Sequence, residues 1–324
     1  MENQNRSGTA GKAIRCKAAV CRNPGEPLMI EEIEVEPPKA WEIRIKILCT
    51  SLCHTDVTYW KMSTGPFAFF PMIFGQEAVG VVESVGEHVE EFQEGDMVVP
   101  SQKGNGCSIF GGELVPAMPR DKTSRFKGMN GETLYHFLSV SSFSQYTVVD
   151  VVNVVAEGAR LRGASKIVGV DLIQEKMQIG KKFGVTHFIN PMTCGEKKFN
   201  EMIKEITDGG ADYCFERIGL ASLMEDAFNS SRANWGKTVI LGLEMHRTPL
   251  AINTSLLLRG RTVIGCLFGG LKPKSEIPFL AQKYLHKELN LDGFKNHEVA
   301  FRDINKAFDS LLEGKSLRCI MRMD

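Results

Sequence analysis

The chain has 324 residues, 43% hydrophobic and 24% charged, enough for two domains with the composition of an ordinary globular protein. Its 39 Lys and Arg balance 39 Asp and Glu, so no nucleic-acid and no membrane-surface partner is expected, since both draw on an excess of basic residues. The polar start MENQNRSGTAGKAIRCK carries no signal-peptide core and no window is apolar for long enough to span a bilayer, so a cytoplasmic protein is expected.

Residues 1–13 read as a flexible tail. From Ile14 the chain turns to strand: IRCKAAVCR, a turn at NPGEP, then LMIEEIEVEPP. WEIRIKILCTSLC alternates apolar and polar residues, the pattern of a half-buried strand. Cys53 falls where that strand ends and a short helix, HTDVTYWK, begins, with Thr55 or Asp56 near its cap. AVGVVESVGEHVEEFQEGDMVV reads as two strands around a turn at Gly86. The segment from Ser101 reads as irregular until FSQYTVVD, a strand over Phe143 to Asp150.

The texture then changes. A helix is predicted over Ala156 to Gly163, followed by the apolar strand SKIVGVD ending at Asp171. Helices at IQEKMQIGKKFG, EKKFNEMIKEITDGG and SLMEDAFNSSR alternate with strands at VTHFINP, DYCFERIG, GKTVILGL and RTVIGCLFGG. Such alternation predicts a parallel, doubly wound sheet, and the fold class is α/β. Two more helices follow, at 277–289 and 301–313. The nine cysteines are odd in number and hold no CxxC pair, which excludes a disulfide framework in a reducing compartment.

Two stretches carry chemistry. Between Cys53 and Glu77 a thiol and a carboxylate bracket a loop. A cysteine, a carboxylate and a third soft ligand hold zinc with one position open, whereas a small β-barrel with an ordinary buried cysteine gives the same spacing. Asp171, at the end of a strand, is placed either to bond the adenosine ribose hydroxyls or to cap a helix. In the first role it favours NAD over NADP, with Lys176 reaching the same ribose. The glycine turn that should precede it is missing: in VVDVVNVVAEGARLRG the side chains of Val154, Val155 and Ala156 stand where a pyrophosphate needs bare backbone.

The stretches GEPLMIEEIEVEPP, ILCTSLCHTDVTYWK, EAVGVVESVGEHVEEFQEGDMVVP, SSFSQYTVVD, EGARLRGASKIVGVD, GADYCFERIGLASLMEDAF and GKSLRCI resemble those of zinc-dependent alcohol dehydrogenases of the medium-chain family, the plant alcohol dehydrogenase-like subgroup. The resemblance runs from about Ile14 to the C-terminus. It implies a GroES-like β-barrel catalytic domain over 14–155, a Rossmann-type doubly wound sheet, incomplete here, over 156–267, and a segment 268–324 returning to the catalytic domain. The implied cofactors are zinc and NAD, the substrate a small alcohol or aldehyde, and the assembly a homodimer.

By the same resemblance Cys53 corresponds to a catalytic zinc ligand, and Glu77 to the glutamate beside the metal. Thr55 begins the proton relay and Asp56 orients the ligands. His54, Arg318, Asp171, Lys176, Ile218 and Phe268 correspond to coenzyme contacts. The catalytic set in this family is two cysteines and a histidine, and alcohol dehydrogenase is itself the standard instance of that rule. Here the family's GHE reads Gly75-Gln76-Glu77, and the segment bearing the third ligand is absent. Only Cys107 remains of the four cysteines that hold a structural zinc. Arg217 replaces a smaller side chain near the coenzyme cleft, and Thr58 stands where some relatives carry a relay histidine. Two functions follow as alternatives: zinc- and NAD-dependent interconversion of alcohols with aldehydes or ketones, or an inactive, truncated member able at most to dimerise. A zinc-free reductase is disfavoured because it would keep the glycine turn.

Overall fold

The structure is a computed structural model that describes residues 9, 11–64, 68–100, 116–118, 121–147, 159, 162–195, 197–244, 248–266 and 273–323. The chain divides into two compact units. One comprises 1–152, 272–281 and 291–324, and the other 153–271 and 282–290.

In chain order the first unit supplies β1 (Ile14–Cys21), β2 (Met29–Val35), β3 (Ile43–Leu52), α1 (His54–Trp60), β4 (Met72–Ile73), β5 (Glu77–Val85), β6 (Met97–Val98), β7 (Phe126–Gly128), β8 (Thr133–His136) and β9 (Tyr146–Thr147). The second supplies β10 (Val168–Val170), α2 (Lys176–Lys182), β11 (His187–Ile189), α3 (Phe199–Ile206), β12 (Tyr213–Glu216), α4 (Ala221–Ser230), β13 (Lys237–Ile240), α5 (Thr254–Leu258) and β14 (Thr262–Gly265). Then come α6 (Pro273–Leu285), β15 (His297–Ala300), α7 (Ile304–Leu312) and β16 (Cys319–Arg322).

In the first unit β1, β2, β7, β8 and β4 close a barrel. Hairpin β1–β2 starts it, with Ile14 opposite Val35 and Val20 opposite Met29. Side chains alternate across a strand, so Cys16, Ala18, Val20 and Ile33 point inward and are buried. Each fully buried Ile or Val side chain contributes about 1.5–3 kcal/mol. A second sheet runs β15-β16-β3-β5-β6, with β9 on β3. Strands β7 and β8 lie in a segment expected to be irregular. They are three and four residues long, too short to show a period, and the tight turn between them has Gly131 at φ +82°. Arg44 on β3 is 1% exposed. Its guanidinium bonds Glu83 Oε2 (2.6 Å), the Lys12 carbonyl (2.7 Å) and the Thr9 carbonyl (3.0 Å).

Among the described residues of the second unit all strand pairs are parallel, and they form two sheets, β10-β11 and β12-β13-β14. In a doubly wound sheet of order 3-2-1-4-5-6, removing the first strand separates 3-2 from 4-5-6, and that is the observed division. Helix α4 packs on β12 and β13, burying Met224 and Phe228, and α3 packs on α4 through a bond from Asn200 Nδ2 to Asp226 Oδ1 (2.8 Å). On the other face Tyr213, Phe215 and Ile264 are exposed, although parallel sheets are normally covered on both sides.

Candidate functional site

The site in the first unit is built where three strands of one sheet lie side by side. β3 is central, with Leu52 opposite Cys319 of β16 and Ser51 opposite Glu77 of β5. The chain leaves β3 at Leu52 and caps α1 with Cys53, whose extended backbone (φ −118°, ψ 155°) suits an N-cap. Asp56, in the first turn of α1, is fully buried. Its Oδ2 accepts from Cys53 N (2.9 Å) and its Oδ1 from Gly75 N (3.0 Å). One carboxylate thus joins the start of α1 to the loop before β5. Burial pushes the Asp56 carboxyl up to about 7, against the pull of those two amides.

Gly75 meets this arrangement because no other residue fits. Its φ is +93°, and a Cβ there would lie 2.5 Å from the Phe143 ring and the Ser142 hydroxyl. Glu77 begins β5, and its Oε2 accepts from Ser51 Oγ (2.7 Å) and from Arg318 Nη1 (2.7 Å), so the carboxylate is tied to β3 and to the residue preceding β16. The Cys53 thiol donates to Thr55 Oγ1 (3.5 Å). Burial raises its pKa, and the Glu77 and Asp56 carboxylates add to that against the Arg318 charge.

The structure thus brings Cys53, Thr55, Asp56, Glu77 and Arg318 together. His54 is the first residue of α1 and is exposed, and its carbonyl accepts from Thr58 Oγ1 (2.9 Å). Ser51 belongs to the site although no motif marked it; only the pairing register of β3 with β5 shows its place.

In the second unit Asp171 follows β10. Its Oδ2 pairs with Lys176 Nζ (3.0 Å) and its Oδ1 accepts from Ile173 N (2.9 Å). It does not cap α2, whose N-cap is Glu175. Ile218 is 69% exposed in the turn after β12, where Glu216 Oε1 accepts from the amides of Ile218 (2.7 Å) and Gly219 (2.9 Å). Phe268, Cys107 and the valine run 148–155 lie outside the described residues.

A catalytic zinc takes three nitrogen, sulfur or carboxylate ligands and leaves a fourth position open. Here the set offers one thiol, Cys53, and a carboxylate already shared between Ser51 and Arg318, and the position expected to hold a histidine is Gln76, whose amide is a weak ligand for zinc. Among the described residues no group of three His, Cys, Asp or Glu could hold a metal ion. The donor set does not fit zinc. For NAD, Asp171, the residue expected to reach an adenosine ribose, follows β10 and is paired with Lys176.

Comparison with known proteins agrees with both the likeness and the loss. The family profile described as "Alcohol dehydrogenase GroES-like domain" matches residues 39–157, and the one described as "Zinc-binding dehydrogenase" matches 152–284. The chain is 50% identical to "Alcohol dehydrogenase-like 2" of Arabidopsis thaliana over 379 aligned positions, covering 98% of each chain. It is 39% identical to "Alcohol dehydrogenase 1" of Petunia hybrida, covering 98% of this chain and 99% of the relative. An alignment of 379 positions against a chain of 324 residues means that the Arabidopsis relative carries segments absent here. Among solved structures, a zinc-binding-domain alcohol dehydrogenase from Burkholderia ambifaria is 25% identical (TM-score 0.84, covering 97% of this chain and all of that one). The benzyl alcohol dehydrogenase of Acinetobacter calcoaceticus shares the fold at 24% identity (TM-score 0.83, 96% and 100% covered). The barrel, the parallel half-sheets and these matches together make the chain a member of the zinc-dependent alcohol dehydrogenase family, one with internal segments missing.

Proposed function

We propose that this chain is a catalytically silent member of its family, descended from NAD-dependent enzymes that interconvert small alcohols and aldehydes. The observation that carries this reading is the Glu77–Arg318 pair at 2.7 Å beside a single thiol, with Gln76 in place of a histidine. Zinc in such a site supplies a Lewis acid that lowers the proton affinity of a bound alcohol. Without it Thr55 has no acidified hydroxyl to relay a proton from, and its own hydroxyl accepts from the Cys53 thiol.

A second reading, that the chain still binds coenzyme, is favoured by one observation: Asp171 keeps its carboxylate at the end of β10, paired with Lys176. Against it stand the side chains of Val154, Val155 and Ala156 in place of a glycine turn. Homodimerisation through the edge of β14, and residence in the cytoplasm, complete the proposal.

Two measurements on the purified chain test it. Elemental analysis is expected to give well under one zinc per chain, and NADH titration no saturable fluorescence change. Stoichiometric zinc together with ethanol-dependent reduction of NAD would overturn the silent reading. Saturable NADH binding without turnover would support the coenzyme-binding reading instead.

A further inference from the structure

Helix α4 packs on β12 and β13 over a cluster of polar side chains. The strand register places Cys214, Thr238 and Val263 in one row across β12, β13 and β14. Side chains alternate along a strand, so Arg261, two residues before Val263, stands on the same face as that row. The exposed Tyr213 and Phe215 stand on the other face. From α4 the buried Phe228 ring meets the cluster, its centroid 5.6 Å from the guanidinium carbon of Arg261.

Three donors of this cluster are orphaned. Arg261 Nε, Arg261 Nη1 and Thr238 Oγ1 are all buried, and among the described residues none has a hydrogen-bond partner. Thr238 is 0% exposed, so water does not serve it from the surface. Buried polar groups in folded proteins are bonded almost without exception, and each one left unpaired costs about 1–3 kcal/mol. Arg261 also lacks a counter-charge. The ionisable groups that bear on it are Cys214 and Arg259. Arg259 is a second cation. Burial pushes the Cys214 thiol up to about 12, so it is neutral at pH 7. Burial also depresses the pKa of Arg261, yet a guanidinium remains protonated in a protein.

We propose that Arg261 and Thr238 bind a small monovalent anion, of the chloride class, between α4 and the sheet. Two guanidinium N–H groups and one hydroxyl supply the donors such an ion needs, and its charge balances that of the buried cation. A phosphate fits the cluster less well. It brings a second negative charge, and more acceptor oxygens than three donors satisfy. The inference is independent of whether zinc or coenzyme binds, because Cys53 and Asp171 take no part in it.

Thermal unfolding of the full chain in mixtures of sodium chloride and sodium gluconate, at one ionic strength, tests it. A ligand held by the native state alone raises the midpoint with its concentration, so the midpoint is expected to climb and saturate as chloride replaces gluconate. Thr238→Val keeps the shape of the side chain and removes the hydroxyl, and is expected to weaken the apparent chloride affinity about tenfold. Arg261→Met removes the charge and both N–H donors, and is expected to abolish the response. Where the methionine variant fails a circular-dichroism check of folding, the valine variant decides. Equal wild-type midpoints in the two salts overturn the proposal, as does a chloride response that both variants retain undiminished.

Discussion

Glu77 shows what a single side chain does once its neighbours change. In the sequence it reads as the glutamate beside a metal; in the fold it accepts from Ser51 on the adjacent strand and from Arg318 beyond it. Cys53 and Glu77 are legible in the sequence because their types and spacing imply chemistry, and Asp56 through the family resemblance. Ser51 was not, since its partner is set by a register with irregularities near Arg44 and Ile47. His136 escaped notice as well, for a lone histidine carries no motif. It is 1% exposed, accepts from Arg125 N through Nε2 (3.0 Å), and among the described residues has no partner for Nδ1. Burial, helped by the nearby Arg125 charge, lowers its pKa from 6.5 to about 3. The folded state therefore holds it neutral while the unfolded chain binds a proton. Its contribution is fully present above pH 6.5 and is lost as the pH falls from 6.5 towards 3. Urea unfolding across that window should show the wild type losing about 2–4 kcal/mol more than His136→Gln. Parallel pH profiles for the two proteins would contradict this account.

Among the elements, the long strands and the amphipathic helices announced themselves, β3 by its alternation and α7 by the buried stripe Ile304, Ala307, Phe308 and Leu311. The short strands β7 and β8 did not, because three or four residues owe their place to barrel closure rather than to pattern. The loop before β5 is the most constrained connection in the site. Gly75 needs a positive φ, leaves no room for a methyl group between Ser142 and Phe143, and donates its amide to Asp56. Gly75→Ala is expected to destabilise the first unit by about 2–4 kcal/mol, combining backbone strain with overpacking. A thermal midpoint equal to that of wild type would show the loop to be softer than its contacts imply.

For the whole molecule, the sequence predicts loss of the first strand of the nucleotide fold, and among the described residues the parallel strands fall into two sheets. What it could not convey was where the cut would leave bare edges, because pairing is a property of neighbours in space. The central strand β3 is paired along both sides, by β5 on one and by β16 and β9 on the other. Among the described residues strands β10 and β12 are each paired on one side only. Hydrogen exchange in dilute solution should accordingly find the amides of Val168, Val170, Tyr213 and Phe215 exchanging at least about a hundredfold faster than those of Ile45 and Ile47. Equal protection across the two units would mean that another segment closes the gap.

The buried guanidinium of Arg44 reaches outward as well as inward. Two of its acceptors are carbonyls at Thr9 and Lys12, upstream of the first strand, while Glu83 neutralises it from within the sheet. A chain trimmed to begin at Ile14 would keep every strand yet strip this cation of two oxygens, taking the Thr9 acceptor from Nη2 and leaving Nη1 with the Val35 carbonyl. The leader that looks dispensable by its composition is thus part of the solvation shell of an interior charge, and an affinity handle is better placed at the other terminus.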